Sequence, residues 1–403
     1  MLLQNIHAPR KQTAIPSIAR IVLPPKSRDR SIEEGMEVRE GQRLTKDEIF
    51  PSVHASIPGV ITRISSAIHS FGHEIEIIEI LLKGRFEFYD RREPFKEWEL
   101  ISIEDHITFL KHSGVTTLPD PSGTEAIIID VCESEPGLRH NIALFQEYQK
   151  FFIQHIPFIK HLFQTERVFL CLDEAIKNVR GSIEKEMQSR NQQGCFVKVV
   201  PRYKGIPYCN DFLLKWSCKV AEQRSKVVSF ESLMQILEAI LYQRPVQKQT
   251  VFVYGDALTK ERFLCAHIGS SLSDLLAESE MYTSSTDSKI VLNGMFTGIE
   301  IENLNQPLDQ SIHSISIHKR VETDTVRPCI SCGLCTTICP AHLEPNILYN
   351  LIESENTSYL RDMHIDRCIS CGLCSYVCPS RIPLTQQITR NKQLLMESKG
   401  KKM

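Results

Sequence analysis

Long apolar runs and a strong excess of either charge are both missing from this 403-residue sequence. No apolar run approaches the roughly 20 residues that a membrane-spanning helix needs, so we expect any membrane contact to be peripheral or to go through a partner. The 47 basic residues nearly balance the 49 acidic ones, and the formal net charge of −2 gives no sign of nucleic-acid binding. Residues 1–11 lack the apolar segment of a secretory signal, so we expect no such signal and a reducing compartment.

Local patterns divide the chain into regions of different character. Residues 1–84 contain short strands separated by Gly and Pro turns, clearest at 18–23 and 73–82, which favours a small barrel or sandwich. Residues 100–245 alternate helical patterns with short apolar strands, which favours an α/β domain with a largely parallel sheet. Residues 246–320 return to short strands with one short helix and predict a small α+β module.

The periodicity also predicts individual elements. The strands of the central region are expected at 126–131, 167–172 and 196–200. Its helices are expected at 141–152, 173–190 and 230–242. In the following module we expect strands at 250–256 and 289–292 and a helix at 273–277. The helix at 230–242 carries leucine and isoleucine at helical spacing, which indicates a face packed against the core.

Cysteine is concentrated near the C-terminus, where eight of the 14 lie within residues 329–378. They form two copies of the pattern C-x2-C-x2-C-x3-C-P, at 329–340 and 368–379. Thiolates are soft donors, four of them suit the iron of a [4Fe–4S] cluster, and the two-residue gaps let one loop supply three of the four. Paired C-x-x-C motifs also bind zinc, but a zinc site has no use for this spacing with its trailing Cys-Pro. The pattern therefore predicts two [4Fe–4S] clusters that carry single electrons.

The ligand sets follow from a rule for two-cluster ferredoxins, in which the fourth cysteine of each motif binds the other cluster. We assign one cluster to Cys329, Cys332, Cys335 and Cys378. We assign the other to Cys368, Cys371, Cys374 and Cys339. Gly333 and Gly372 permit the backbone angles of so tight a loop. An apolar helical stripe between the motifs is expected to cover the pair: Leu343, Ile347, Leu348, Leu351 and Ile352. The other six cysteines are expected to be small buried residues: Cys132, Cys171, Cys195, Cys209, Cys218 and Cys265.

Several segments outside these motifs resemble the C subunit of the Rnf electron-transport complex, which is related to the flavin-bearing NADH-oxidising subunit of respiratory complex I. The resemblance is carried by residues 35–60, 132–137, 253–256, 267–270, 293–298 and 374–384. It implies a multidomain α/β plus α+β fold of four parts. They are an N-terminal barrel-sandwich hybrid of the biotinyl/lipoyl type (1–84), a central Rossmann-like α/β domain (100–245), a β-grasp (SLBB) module (246–320) and a C-terminal helical two-cluster ferredoxin domain (321–396).

The chain departs from this family at the flavin and nicotinamide site. Family members carry a glycine-rich loop there, whereas the matching stretch, 114–119, reads Gly-Val-Thr-Thr-Leu-Pro. Branched side chains occupy positions where glycines let backbone N–H groups approach a phosphate. By resemblance, Gly114, Glu133 and Glu135 are the candidate residues of a degenerate flavin/NADH site, and we expect flavin mononucleotide (FMN) to bind weakly or not at all. Solvated or helix-capping carboxylates are the alternative interpretation of Glu133 and Glu135.

Three interpretations of function stay open. In the first, the chain is a peripheral iron–sulfur subunit of a membrane-associated Rnf-like oxidoreductase, at the cytoplasmic face of the inner membrane, with other redox subunits, membrane-embedded, as partners. In the second it is an NADH:acceptor oxidoreductase that uses FMN, and in the third a stand-alone ferredoxin-like adaptor. The altered glycine loop argues against the second. No catalytic residue is assigned, and whether the chain is itself an enzyme stays open.

Overall fold

The computed structural model describes residues 11–29, 31–46, 50–70, 72–84, 98–120, 124–206, 208–220, 224–278, 288–320 and 325–400. Residues 1–10, where no secretory signal is expected, and 321–324 lie outside the described residues. The chain forms two compact units: a larger one of Met1–Asn293 and Glu300–His318, and a smaller one of Gly294–Ile299 and Lys319–Met403. Of the helices described, none has the length and apolar character to cross a membrane.

The N-terminal sheet is antiparallel and buries one face. A first short strand, β1 (Lys11–Gln12), pairs elsewhere, and the sheet is formed by β2 (Ile18–Leu23), β3 (Glu37–Val38), β4 (Gly59–Ile68) and β5 (Glu74–Leu82), in the order β2-β5-β4-β3. Alternate side chains of paired strands, such as Ile21 and Ile78, are fully buried. The strands predicted at 18–23 and 73–82 are confirmed.

The central sheet is parallel throughout, as predicted. Its strands are β6 (Ala126–Val131), β7 (Val168–Asp173), β8 (Cys195–Val200) and β9 (Ser225–Ser229), in the order β8-β7-β6-β9. The three strands expected here lie within one residue of their predicted starts and ends. Strand β9 was missed because its Ser-Lys-Val-Val-Ser sequence offers only two apolar residues.

Helices flank the central sheet. They are α1 (Ile103–His112), α2 (His140–Gln154), α3 (Ile156–Leu162), α4 (Arg180–Ser189), α5 (Asp211–Cys218) and α6 (Phe230–Tyr242). Helix α6 has the predicted limits, and its leucine and isoleucine stripe is buried. The single helix predicted over 173–190 is wrong in its first half, because Asp173 caps a 3-10 helix, Glu174–Val179, that is broken at the buried Ile176.

The third sheet combines distant parts of the chain. It contains β1, β10 (Lys248–Tyr254), β11 (Arg262–His267), β12 (Ser288–Leu292), β13 (Ile299–Ile301) and β14 (Ser314–Lys319), in the order β1-β11-β10-β14-β12-β13. Helix α7 (Leu272–Glu278) packs on its core through Leu272, Leu275 and Leu276. The strands and the helix predicted in this region are confirmed. The pairing of β1 with β11 was not predicted, because β1 consists of only two polar residues.

The smaller unit is helical and contains both cysteine motifs. Its helices are α8 (Leu334–Ile338), α9 (Pro345–Glu353), α10 (Leu373–Tyr376) and α11 (Leu384–Gly400), with 3-10 turns at Thr357–Leu360 and Ile365–Arg367. Leu343 and Leu348 of the predicted stripe are buried, but Ile347 is 37% exposed. Only some of the residues of the predicted stripe therefore cover the motif region.

Candidate iron–sulfur site

Two small cavities lie between the cysteine motifs. The first is lined by Cys329, Cys332, Cys335 and Cys378. The second is lined by Cys339, Cys368, Cys371 and Cys374. Each cavity thus combines three cysteines of one motif with the fourth cysteine of the other. This grouping matches the predicted ligand sets, and the ligation itself stays a prediction.

Both loops use the same backbone conformations to turn three cysteines toward one cavity. The serine and the glycine that flank the second cysteine have positive φ, at 54° and 75° for Ser331 and Gly333 and at 54° and 78° for Ser370 and Gly372. The glycine then serves as the N-cap of the short helix that carries the third cysteine. Sequence analysis anticipated the role of the glycines but missed the left-handed serines, because serine has no strong preference for that region.

The proline after each motif explains why the fourth cysteine leaves its own loop. Cys339 ends helix α8 in an extended conformation, with φ −65° and ψ 117°, as expected for the residue before a proline. Pro340 cannot continue the helical hydrogen bonding. The chain therefore turns away, and the sulfur of Cys339 reaches the cavity of the second motif.

The chemistry of the cavities fits iron–sulfur clusters. The backbone N–H groups of Leu343 and Ser370 donate to the sulfurs of Cys339 and Cys368, at 3.4 and 3.5 Å. Burial raises the pKa of the Cys374 thiol to about 12, so this thiol keeps its proton until a metal replaces it. Four sulfur donors per cavity, apolar walls and N–H groups directed at sulfur are the features that hold and tune a [4Fe–4S] cluster.

The cavity of the first motif is open to solvent on one side. Cys332 is exposed, whereas Cys335 is buried. Ile330 and Leu334 line the same cavity and are 66% and 48% exposed. Apolar side chains are therefore exposed at the edge of this cavity.

The candidate flavin residue Gly114 has a structural role in the larger unit. It follows the end of α1 with φ +82°, and a Cβ added there would lie 2.5 Å from the Ser52 carbonyl oxygen. Its own carbonyl accepts a hydrogen bond from Gln310 Nε2 at 3.1 Å. The next residue, Val115, is fully buried in the core. This stretch does not fit a loop that leaves space beside a flavin.

The acidic pair is also buried, and one carboxylate caps a helix. Glu133 and Glu135 are each 2% exposed. Glu133 Oε1 accepts a hydrogen bond from the Ile142 N–H, in the first turn of α2, at 2.9 Å. Burial raises the pKa of Glu133 to about 8. Gly114 lies against Ser52 and Gln310. Glu133 contacts Ile142 of α2 and Asp173 of β7, so these contacts do not assemble the candidate residues into one site.

Sequence analysis missed a buried ion pair beside this acidic segment. His140 Nε2 lies 3.1 Å from Glu231 Oε2, joining the first turn of α2 to that of α6. Burial lowers the pKa of His140, but Glu231 and Glu133 together raise it above the ordinary value. No local pattern distinguishes His140 from an ordinary surface histidine, because its partner is 91 positions away in the sequence.

Comparisons with known proteins agree with the motif and the resemblance. Residues 328–382 match the 4Fe-4S dicluster domain family. The chain is 26% identical to the C subunit of the ion-translocating oxidoreductase complex of Haemophilus influenzae, over 92% of this chain and 48% of that protein. The corresponding proteins of Yersinia pseudotuberculosis and Vibrio cholerae are 27% and 24% identical, over 90% and 80% of this chain and 55% and 45% of theirs.

These similarities confirm the resemblance to the C subunits of Rnf-type complexes and a C-terminal 4Fe–4S dicluster domain. The chain spans about half the length of the curated relatives it matches. Among solved structures, the NAD⁺-reducing [NiFe]-hydrogenase in its air-oxidised state is similar with a TM-score of 0.44 and 12% identity, over 73% of this chain and 66% of that one.

Proposed function

We propose that this protein is an iron–sulfur electron-transfer subunit of a membrane-associated Rnf-like oxidoreductase and passes single electrons through two [4Fe–4S] clusters. The grouping of the eight motif cysteines into two cavities of four carries the proposal. The similarity to ion-translocating oxidoreductase subunits over nine-tenths of the chain supports the type of complex. When bound, each cluster supplies one-electron redox chemistry.

Residues of the chain would hold the clusters, keep water away from them and leave one edge exposed to a partner. Leu348, Ile382 and Leu384 form part of the apolar core beside the cysteines and exclude water. Donors such as the Leu343 N–H stabilise negative charge on the sulfur they face, which raises the reduction potential. The open rim at Cys332, Ile330 and Leu334 offers a surface where a partner can bring its own redox centre close.

The finer domain layout belongs to the same proposal. We infer a barrel-sandwich hybrid at 1–84, a Rossmann-like α/β domain at 100–245, an SLBB module at 246–320 and a two-cluster ferredoxin domain at 321–396. The antiparallel first sheet and the parallel central sheet support the first two assignments. As partners we propose membrane-embedded redox subunits, with the chain at the cytoplasmic face of the inner membrane.

The observations weigh against an FMN-dependent NADH oxidoreductase. Val115 fills core space where the family has a glycine, and one carboxylate oxygen of Glu133 caps α2. The stand-alone adaptor is less well supported than a complex subunit, because the similarity extends over the β-rich and α/β regions as well as the cysteine motifs.

Anaerobic purification of the full chain tests the proposal. We expect about eight iron atoms and about eight inorganic sulfides per chain, as two cubane clusters require. Titration with dithionite should consume about two electrons per chain, and the reduced protein should show paramagnetic resonance of two interacting centres.

A matched pair of variants completes this experiment. Cys371→Ser should lower the iron content and the number of electrons taken up, whereas Cys265→Ser, outside the motifs, should leave both unchanged. Zinc in place of iron after anaerobic preparation would contradict the proposal.

A further inference from the structure

A separate group of sulfur and oxygen donors lies in the central sheet of the larger unit. Asp130 and Cys132 are at the carboxyl end of β6, and Cys209 lies just before α5. The sulfurs of the two cysteines and a carboxylate oxygen of Asp130 all lie within 4.8 Å of one another. We call these three residues the Asp130 triad.

The fold brings the triad together from distant positions. Residues two apart on a strand point to the same face, so Asp130 and Cys132 share a face of the sheet. Helix α5 covers that face, since its Leu214 packs in one apolar cluster with Cys132. The carboxyl ends of parallel strands are the usual place for ligands in open α/β sheets.

Hydrogen bonds hold the triad in place before any ligand arrives. One carboxylate oxygen of Asp130 accepts the Cys132 N–H at 2.8 Å. The Cys132 carbonyl accepts from Asn141 Nδ2 at 2.9 Å. Asn210, next to Cys209, caps α5 by accepting the Leu213 N–H at 2.9 Å. Such supporting contacts orient the ligands of metal sites.

Neighbouring thiols are engaged with each other. The sulfurs of Cys171 and Cys218 lie 3.4 Å apart on the same face and form a hydrogen bond. Cys195 lies on the opposite face, where it packs against the main core of the central region. The Cys132 thiol also contacts this pair, since it donates to the Cys171 carbonyl at 3.7 Å. Cys195 lies apart from all four and provides a natural control.

We propose that Asp130, Cys132 and Cys209 bind one zinc ion. Two thiolates and a carboxylate are a zinc donor set, whereas magnesium and calcium prefer oxygen donors alone. Ligand atoms of a tetrahedral zinc site lie about 3.5–4 Å apart, so the triad needs movements on the order of 1 Å. Binding displaces the thiol protons of Cys132 and Cys209 to solvent. The triad supplies three ligands, so we expect water as the fourth ligand of the zinc.

The experiment uses the full chain, purified anaerobically with its iron in place, then incubated with zinc and desalted. We expect about one zinc per chain by mass spectrometry. Zinc K-edge X-ray absorption, which does not detect iron, should show two sulfur ligands at about 2.3 Å together with lighter donors. Four sulfur ligands would place the zinc in the cysteine cavities of the smaller unit and overturn the proposal, as would failure to retain zinc.

Variants provide an independent readout. Cys209→Ser should raise the zinc dissociation constant, measured by chelator competition, at least about 100-fold, because even supporting residues cost 10–100-fold when lost. Zinc should also raise the unfolding temperature of the original protein but not that of Cys209→Ser. Cys195→Ser should behave like the original protein. Unchanged affinity in Cys209→Ser would contradict the proposal, and circular dichroism checks that the variant is folded.

Discussion

At the residue scale, Cys378 and Cys339 decide how the two motifs share their ligands. Cys378 lines the cavity of the first motif, although it lies in the second. We predict that Cys378→Ala damages the cluster of Cys329, Cys332 and Cys335 and spares the other, leaving about four iron atoms per chain. Iron analysis and paramagnetic resonance of the reduced protein measure this.

The reciprocal variant is the control. Cys339→Ala should affect the centre of Cys368, Cys371 and Cys374 instead, so the two variants should lose different resonance signals. If each variant loses the cluster of its own motif, the crossed assignment is wrong.

Gly372 and Gly333 occupy equivalent loop positions but have different surroundings. Both have positive φ, yet a Cβ on Gly372 would lie 2.6 Å from the Phe296 carbonyl oxygen, whereas a Cβ on Gly333 meets nothing within 4 Å. Gly333→Ala should therefore cost only the backbone strain, roughly 1 kcal/mol. Gly372→Ala should cost about 1–3 kcal/mol more, because Phe296 has to move.

Thermal unfolding, with iron release followed in parallel, compares the two alanine variants. Gly372→Ala should unfold and release iron at a clearly lower temperature than Gly333→Ala. Equal effects would mean that the packing of Phe296 against this loop contributes nothing.

At the element scale, the buried His267 of β11 contacts the segment before β4, and a second buried histidine, His54, lies within that segment. His267 Nδ1 lies 3.0 Å from the Ser56 carbonyl oxygen, and His54 lies in the same segment as Ser56. Burial lowers the pKa of both histidines from 6.5 to about 4. Between these values the unfolded chain binds protons that the folded chain does not, so stability falls as the pH decreases from 6.5 to 4.

We predict that each histidine contributes up to about 3 kcal/mol to this acid destabilisation. His267→Asn should flatten the dependence of the unfolding midpoint on pH between 6.5 and 4. His73→Asn, at an exposed position, should leave the dependence unchanged. The same slope in all three proteins would refute the role of His267.

Helices and strands begin and end where predicted if their ends depend on residues close in the sequence. Helix α6 has its predicted limits because Ser229 caps it and its apolar stripe is continuous. The first half of the helix predicted over 173–190 is wrong because the burial of Ile176 and the capping bond of Asp173 override the helical pattern there, whereas the second half is helix α4. Strand β9, which has only two apolar residues, is a strand because it pairs with β6.

At the scale of the whole molecule, the source of the electrons distinguishes the proposed electron-transfer subunit from an FMN-dependent NADH oxidoreductase. We predict weak or absent FMN binding and little reduction by NADH. Replacing the glycine loop with Val115, Thr116 and Thr117 removes several charge-assisted hydrogen bonds to a phosphate, each worth about 1.5–3 kcal/mol, which together amount to several orders of magnitude in affinity.

Titration with FMN measures its affinity, and anaerobic mixing with NADH measures the rate of reduction. Reduction by dithionite is the control that shows that the iron centres can accept electrons. Tight FMN binding, or rapid bleaching by NADH, would contradict the prediction. The threonine hydroxyls would then have to replace the missing backbone contacts.

The sequence by itself determined the chemistry of the smaller unit and most of the regular elements. Spacing within twelve residues specifies three cysteines of a loop, and apolar periodicity specifies strands such as β6, because both depend on neighbours along the chain. The similarity to Rnf-type proteins was also visible in short segments of the sequence.

Only the tertiary structure decided which distant residues meet. It showed that Cys378 lines the cavity of the first motif, a grouping that sequence analysis expected only by analogy with two-cluster ferredoxins. It also gave Glu133 the helix-capping role that sequence analysis had left as an alternative. It also brought Cys209 to Asp130 and Cys132, whereas sequence analysis had expected the two cysteines to be small buried residues. These contacts join residues that are far apart in the sequence and form only when α5 and α2 pack against the sheet. No local sequence pattern predicts them.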